Sequence, residues 1–364
     1  MTDTIPPYIL YLTVPAVSFI ISLYAVRKII FITTHRKLFD VPDNTRKIHG
    51  AAIPSLGGIG IFIGYIVAAA FFLFLNTKGW NYIMASTVIL FFTGIYDDIM
   101  NMVPSKKFLA QLIASAITIW FADIRIASLY GMFGIMELPY WLSIGLTTVC
   151  CTFFINAFNF IDGIDGLACS LAILYTVLFG ALFAAMSATG IAGISFGLAG
   201  ATAGLLYFNA APAKIYMGDT GSMFLGFTIF ILSVLLVTMY GSSGDKIASL
   251  VHSGQGSVIF VLSVLFLPMY DAVRVFILRA SRGVSPLKAD RAHLHYYLLD
   301  GGFTHSQSVL IILITNILLI ALAYLLQDLN PLIAVLALTL LASAVLFIIY
   351  RLRQRNLLNN SIAQ

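Results

Sequence analysis

Long apolar runs follow one another along this chain, broken only by short polar loops, and nothing else in the sequence constrains the fold as strongly. A run of about 20 apolar residues matches the roughly 30 Å hydrocarbon core of a bilayer when it is helical. About eleven such runs can be read, at approximately 8–31, 53–75, 82–97, 108–122, 139–156, 167–187, 190–208, 222–240, 257–280, 306–326 and 331–350. The block 167–208 is continuously apolar, and the small and polar residues Ser187 to Gly190 are the expected break within it. Of the 364 residues, 60% are hydrophobic and 10% charged, where a soluble domain carries about 25% charge. The expected fold is an all-α polytopic membrane protein, a single transmembrane unit over 1–364 with a short basic tail at 351–364. Met1 to Pro7 is polar and acidic with no basic stretch, so the first run is expected to be a retained helix, not a cleaved leader. Cys150, Cys151 and Cys169 all lie in apolar runs and are expected to be buried thiols.

The loops carry the topology. Seventeen of the 20 Lys and Arg residues fall in one set of alternate loops, and only Lys78, Arg125 and Lys246 fall in the other. Basic loops stay in the cytoplasm. That asymmetry predicts an outside N-terminus, a cytoplasmic C-terminus and an odd number of spans. It also explains the net charge of +5 without a nucleic-acid partner. Most of the aspartates fall on the same side, and Glu137 is the only glutamate. Ionisable groups at membrane depth are costly and usually mark a functional site.

Five polar clusters lie on that side. The first is a basic run, Arg46, Lys47 and His49, ahead of the glycines Gly57 and Gly58. Basic residues beside a helix start attract phosphate, although ordinary loop charge gives the same pattern. Gly60 and Gly64 have the spacing of close helix packing and not of a dinucleotide loop. The second cluster is Asp97-Asp98, followed by Lys106-Lys107. Adjacent carboxylates repel unless a cation intervenes, so the pair reads as a general base or a metal site. The third runs Asn156-Ala-Phe-Asn159-Phe-Ile-Asp162-Gly-Ile-Asp165-Gly-Leu. Its two carboxylates share one face if the turn is helical, and Asp165 also suits the positive end of the next helix. The fourth, Asn209 to Ser222, places Asp219 between glycines beside Thr220 and Ser222. That is a magnesium-ligand pattern, because Mg²⁺ takes one or two carboxylates and fills its shell with phosphate and water. The fifth contains Asp290-Arg291-Ala-His293-Leu-His295-Tyr296. It lacks the thiolates and the i, i+4 histidine pair of a zinc site and suits phosphate contact. His35, His252 and His305 stand apart from these groups.

Together these motifs resemble the bacterial polyprenyl-phosphate N-acetylhexosamine-1-phosphate transferases, a superfamily that includes the translocase of peptidoglycan synthesis. The resemblance rests on Tyr-Asp-Asp, Asn-x-x-Asn-x-x-Asp-Gly-x-Asp-Gly-Leu, Met-Gly-Asp-x-Gly-Ser and Asp-Arg-x-His-x-His, in that order, and covers 40–303. The third motif cluster and the Arg-Lys-Ile-His-Gly loop look more like the N-acetylglucosamine branch than the peptidoglycan translocase. The resemblance implies transfer of a sugar 1-phosphate from a UDP-N-acetylhexosamine to undecaprenyl phosphate with release of UMP. It also implies Mg²⁺, with Mn²⁺ as a substitute, a cytoplasmic active site in the bacterial inner membrane, and dimerisation. Asp219 would be the main metal ligand, with Asp97 or Asp98 as further ligands or as the group that orients the acceptor. His293 joins them as a catalytic candidate. Lys47, Asn156, Asn159, Asp162, Asp165, Asn209, Arg291 and His295 would bind substrates. The family pattern His-x-His-His ends here in Tyr296.

The chemistry joins two anions, so cations must offset their repulsion. The lipid phosphate is already ionised near neutral pH, which favours direct in-line attack over a covalent aspartyl intermediate. Pro268 and Asp271 in the run 257–280 predict a bend that opens a lateral groove for the lipid tail. An ion-coupled transporter is the reading from another class, and it requires carboxylates near the bilayer midplane.

Overall fold

The computed structural model describes residues 6–36, 53–72, 79–285 and 290–362. Helices dominate these residues: α1 (Pro7–Arg36), α2 (Gly58–Phe72), α3 (Trp80–Met100), α4 (Pro104–Phe121), α5 (Tyr140–Ile161), α6 (Leu167–Ala185), α7 (Thr189–Asn209), α8 (Gly218–Ser243), α9 (Gly254–Ser281), α10 (Leu294–Asp300), α11 (His305–Leu326) and α12 (Pro331–Ile362). The only extended pairing among the described residues is a single bridge, Ser128 to Glu137. Within a bilayer no water completes the backbone hydrogen bonds, so helices are the forms that close on themselves. Nine of the described helices are long and apolar enough to cross a membrane. Nine of the eleven expected runs fall on these helices, while 53–75 and 108–122 fall on α2, which is shorter, and α4, which is not among the nine. The apolar block 167–208 breaks where its small residues stand: α6 ends at Ala185, Ser187 turns with φ +62°, and α7 begins at Thr189.

Two boundaries differ from the hydropathy reading in a useful way. The helices α3 and α5 continue past the ends of their apolar runs, to Met100 and Ile161. Asp98 and Asn159 therefore sit within helices, as Asp97 and Asn156 do. Helix α12 continues to Ile362, and Arg353 reaches back to Asp300 at 3.0 Å.

The bundle closes around α8, which packs against α2, α3, α5, α6 and α9. A second seam joins α7 to α1 and α2 through small residues. A side chain on Gly60 would strike Val26, one on Gly64 would strike Ala201, and one on Gly200 would strike the Pro15 carbonyl. With little hydrophobic force between helices in lipid, such close approach supplies packing energy instead. Hydroxyls add a few cross-links: Thr118 Oγ1 donates to Ser86 Oγ at 2.8 Å, and Ser86 donates to the Ala114 carbonyl at 2.7 Å. Cys151 and Cys169 are buried and all three thiols are free, as expected.

The four clusters within the described residues belong to one end of the bundle, and the basic run Arg46, Lys47 and His49 lies outside those residues. The opposite end is tied separately. Tyr130 of the 125–138 loop donates to the Val237 carbonyl, and His252 meets Asp328 at 2.7 Å.

Candidate active site

The site is built on the N-terminus of α8. The strand-like stretch before α2 is zipped to the segment before α8: Tyr216 N–H donates to the Pro54 carbonyl, Gly57 N–H to Tyr216, and Gly58 N–H to Met217, all at 2.8–2.9 Å. Gly218 begins the helix at φ +72°, where a side chain would strike both the Ser55 carbonyl and the Asp98 carboxylate. Asp98 itself caps the helix. It accepts from Asp219 N–H at 2.8 Å, Thr220 N–H at 2.9 Å and Thr220 Oγ1 at 2.5 Å. An anion there satisfies orphan donors and opposes the helix dipole. Asp98 thus holds the start of α8, and Asp219 with it, in place.

Asp97 points elsewhere, although it is the next residue. Its Oδ1 accepts from Met102 N–H at 2.6 Å, which closes the turn into α4, and its Oδ2 faces Lys107 Nζ at 3.0 Å. Lys107 also reaches Asp219 Oδ2 at 2.6 Å. The remaining Asp219 oxygen accepts from Asn159 Nδ2, and that amide also bonds Ser222 Oγ at 2.7 Å. Asp97, Asp219, Lys107 and Asn159 thus form one constellation from four helices. No group of three or more Asp, Glu, His or Cys side chains is placed around a common point among the described residues. Two carboxylates with a cation between them fit Mg²⁺, which needs no more than one or two from the protein. They do not fit a zinc centre. Asp219 and Asp97 are the residues that could hold such an ion.

The α5–α6 turn forms the neighbouring wall. Enclosure, reinforced by the Asp219 charge, pushes the Asp162 carboxyl up to about 7, against a hydrogen bond from Gly218 N–H. Asp165 is turned away from this centre. It accepts from Ala213 N–H at 3.0 Å and meets His305 Nδ1 at 3.3 Å. Burial opposes its charge, but those partners hold its carboxyl below the ordinary value. His305, which stood apart in the sequence, is therefore a partner of the third motif.

Several residues expected at the substrates have partners within the chain. Asn156 donates to Gln111 Oε1 at 2.6 Å and to the Thr152 carbonyl at 2.8 Å, which joins α5 to α4. Asn209 is 2% exposed, donates to the Ile215 carbonyl and accepts from Gly166 N–H. It locks the α7–α8 loop against the α5–α6 turn. Arg291 pairs with Asp300 at 2.8 Å and lies over the Tyr296 ring. His295 is enclosed as well. It is 1% exposed, and burial pushes its imidazole down to about 3, so the ring is neutral. Its Nε2 lies against Gly163, where an added Cβ would come within 2.1 Å. Lys47 lies outside the described residues.

His293 behaves differently from its neighbour. Its Nδ1 donates to Asp271 Oδ2 at 2.8 Å. Asp271, in α9, also accepts from Arg274 at 2.7 Å and Leu294 N–H at 3.1 Å. The carboxylate fixes the tautomer, which leaves Nε2 as the nitrogen available to a ligand. The His293 ring stacks on His295 at 5.8 Å and packs against Phe160, which joins this group to the α5–α6 turn. Asp271 and Lys107 were the functional residues least visible in the sequence. Asp271 had only its intramembrane charge to mark it, and Lys107 only its place after the Asp97-Asp98 pair. Asp97, Asp98, Asp162, Asp165 and Asp219 collect at helix ends and Asp271 lies within α9, whereas a transporter requires its carboxylates near the midplane.

A family model for glycosyl transferase family 4 matches residues 80–237. The chain is 32% identical, over 75% of its length and 73% of the relative's, to a probable undecaprenyl-phosphate N-acetylglucosaminyl 1-phosphate transferase of Bacillus subtilis. It is 30% identical to a decaprenyl-phosphate N-acetylglucosaminephosphotransferase of Mycolicibacterium smegmatis, over 73% of this chain and 70% of the other. It is 27% identical to an undecaprenyl-phosphate alpha-N-acetylglucosaminyl 1-phosphate transferase of Escherichia coli K12, over 78% and 74%. With helices that cross the membrane repeatedly and the motif residues gathered at one end of them, the chain belongs to glycosyl transferase family 4, among the polyprenyl-phosphate N-acetylhexosamine-1-phosphate transferases.

Proposed function

We propose that the protein transfers N-acetylglucosamine 1-phosphate from UDP-N-acetylglucosamine to undecaprenyl phosphate, at the cytoplasmic face of a bacterial inner membrane. The observation that carries this reading is the pairing of Asp219 and Asp97 through a single cation at the mouth of the bundle. Such a pair is suited to a magnesium–pyrophosphate, and the relatives named above carry N-acetylglucosaminyl phosphotransferase names. The excess of Lys and Arg in the loops at this end supports a cytoplasmic site, where nucleotide sugars are found.

In the reaction, an acceptor phosphate oxygen attacks the sugar-linked phosphorus. The bond from that phosphorus to the UMP oxygen breaks, and UMP leaves with the electron pair. A bound Mg²⁺ would neutralise the pyrophosphate and hold it in line. The protein supplies position and charge. Asp98 aims the α8 N-terminus, Asn159 orients Asp219, and His293 offers Nε2 to a phosphate oxygen. No base is required of Asp98, whose oxygens are occupied. Asp97, beside Asp219 across Lys107, is the carboxylate placed to guide the acceptor.

A bilayer-facing cavity of about 490 Å³ lies between α9 and α12, lined by Leu262, Phe266, Met269, Tyr270 and Val335, with Arg274 at its polar limit. Arg274 bonds Asp271, and Asp271 bonds His293. The groove therefore leads from lipid toward the site and suits a polyprenyl tail, which cannot leave the bilayer without losing about 0.8 kcal/mol per buried CH₂. Helix α9 passes Pro268 without ending. UMP release in membranes, measured with undecaprenyl phosphate, Mg²⁺ and a panel of UDP-sugars, tests the assignment. Release with UDP-N-acetylglucosamine is expected. Release only with a UDP-muramoyl-pentapeptide, or with none of the panel, overturns it.

A further inference from the structure

Lys107 stands on the first turn of α4, and its ammonium lies 2.6 Å from Asp219 Oδ2 and 3.0 Å from Asp97 Oδ2. The other oxygen of each carboxylate is already used, by Asn159 and by Met102 N–H. The oxygens open to a divalent cation are therefore the two that Lys107 holds. The ammonium and the metal must compete for them.

We propose that Lys107 is an exchangeable counter-cation that yields the carboxylates to the metal and then turns to a substrate phosphate oxygen. The inference rests on the metal-dependent transfer proposed above and assigns a residue to it. Two carboxylates held together repel, and the ammonium offsets that repulsion while the site is empty. A lysine suits this task better than arginine, because it is a compact charge on a flexible four-carbon stem and makes no rigid bidentate grip. The side chain is 15% exposed, so the ammonium has an opening on one side. Two carboxylates and one ammonium sum to −1, and adding a divalent cation makes the same group +1. The site thus becomes attractive to a pyrophosphate only when metal is present. The lysine also disfavours metal without nucleotide, which couples arrival of the two.

The experiment is a Mn²⁺ titration of the full-length, detergent-solubilised protein without nucleotide, with free Mn²⁺ read by electron paramagnetic resonance. Wild type, Lys107→Met, Lys107→Arg and Asp219→Asn are compared, with UMP release measured in parallel. Lys107→Met is expected to bind Mn²⁺ about tenfold or more tightly, within the ordinary range of site-to-site coupling, while its kcat falls. Lys107→Arg is expected to return Mn²⁺ affinity toward wild type, and Asp219→Asn to abolish binding. Unchanged or weaker Mn²⁺ binding by Lys107→Met overturns the exchange and makes the lysine a fixed structural tie, with the transfer reaction untouched. Absence of Mn²⁺ binding in wild type, with UMP release persisting in chelator, overturns the metal-dependent reading and the exchange with it. If Lys107→Met is not recovered as a monodisperse protein, Lys107→Gln makes the same comparison.

Discussion

His293 Nδ1 donates to Asp271 Oδ2 at 2.8 Å, from a short loop helix to the middle of a membrane helix that also lines the lateral groove. The pair is 22 residues apart in the chain, and both members are almost fully buried. Asp271 thereby holds three things in register: the histidine ring, the Arg274 side chain and the start of α10.

Asp271→Asn keeps the shape but permits the wrong histidine tautomer. A fall in kcat of about 10- to 100-fold is expected, the usual range for an orienting partner. His293→Ala and the double variant should cost no more than the larger single effect, because the two act as one unit. UMP release kinetics on all three variants check this. Additive losses would separate the residues.

Asp97 and Asp98 are adjacent but should fail in different ways. Asp98→Ala removes the cap of α8 and should lower stability by about 0.5–2 kcal/mol along with activity. Asp97→Asn should remove activity with a smaller change in stability, because its outer oxygen faces Lys107 and Asp219 and its other oxygen ties only the Met102 N–H. Thermal unfolding in detergent, read beside UMP release, separates the two outcomes. Equal destabilisation by both would contradict the division of roles.

His295 makes stability depend on pH. Its folded value, pushed from 6.5 down to about 3 by burial, lies below the unfolded one. The unfolded chain therefore binds the proton first as pH falls. The contribution of the neutral ring is complete above 6.5 and is lost progressively between 6.5 and 3, by at most about 1.4 kcal/mol per pH unit. His295→Asn should flatten the stability profile across that window. The same slope in both proteins would refute a neutral buried ring.

Gly163 and His295 should be coupled. A methyl group at 163 would sit 2.1 Å from His295 Nε2, and overpacking of a buried contact typically costs about 1–3 kcal/mol. Gly163→Ala should destabilise the protein, and combining it with His295→Ala should recover part of the loss. A double-variant cycle measures this directly. Strict additivity would show that the ring moves aside freely.

Much of the architecture was legible because lipid leaves few choices. Apolar length marks each span, and the break near Ser187 follows from small residues within an otherwise uniform run. The place of Asp219 at the start of α8 was also legible, since glycines and hydroxyls around a carboxylate mark a helix start. The partners of Asn156, Asn209 and Arg291 were not. An amide or guanidinium reads identically whether its partner is a ligand or another part of the chain, and here the partners are Gln111, Ile215 and Asp300.

Hydropathy and loop charge alone settle that this is a multispan helical chain and bring the polar motifs to one end of it, because both depend on local composition against a fixed bilayer thickness. Which oxygen faces which donor depends on helices that meet from distant parts of the chain. Only packing turns Asp98 into a cap while its neighbour Asp97 faces Lys107, since successive residues on a helix project about 100° apart. Only packing buries His295 while leaving His293 on Asp271. Those directions are properties of the assembled bundle, and they divide side chains that work at the site from those that hold it open.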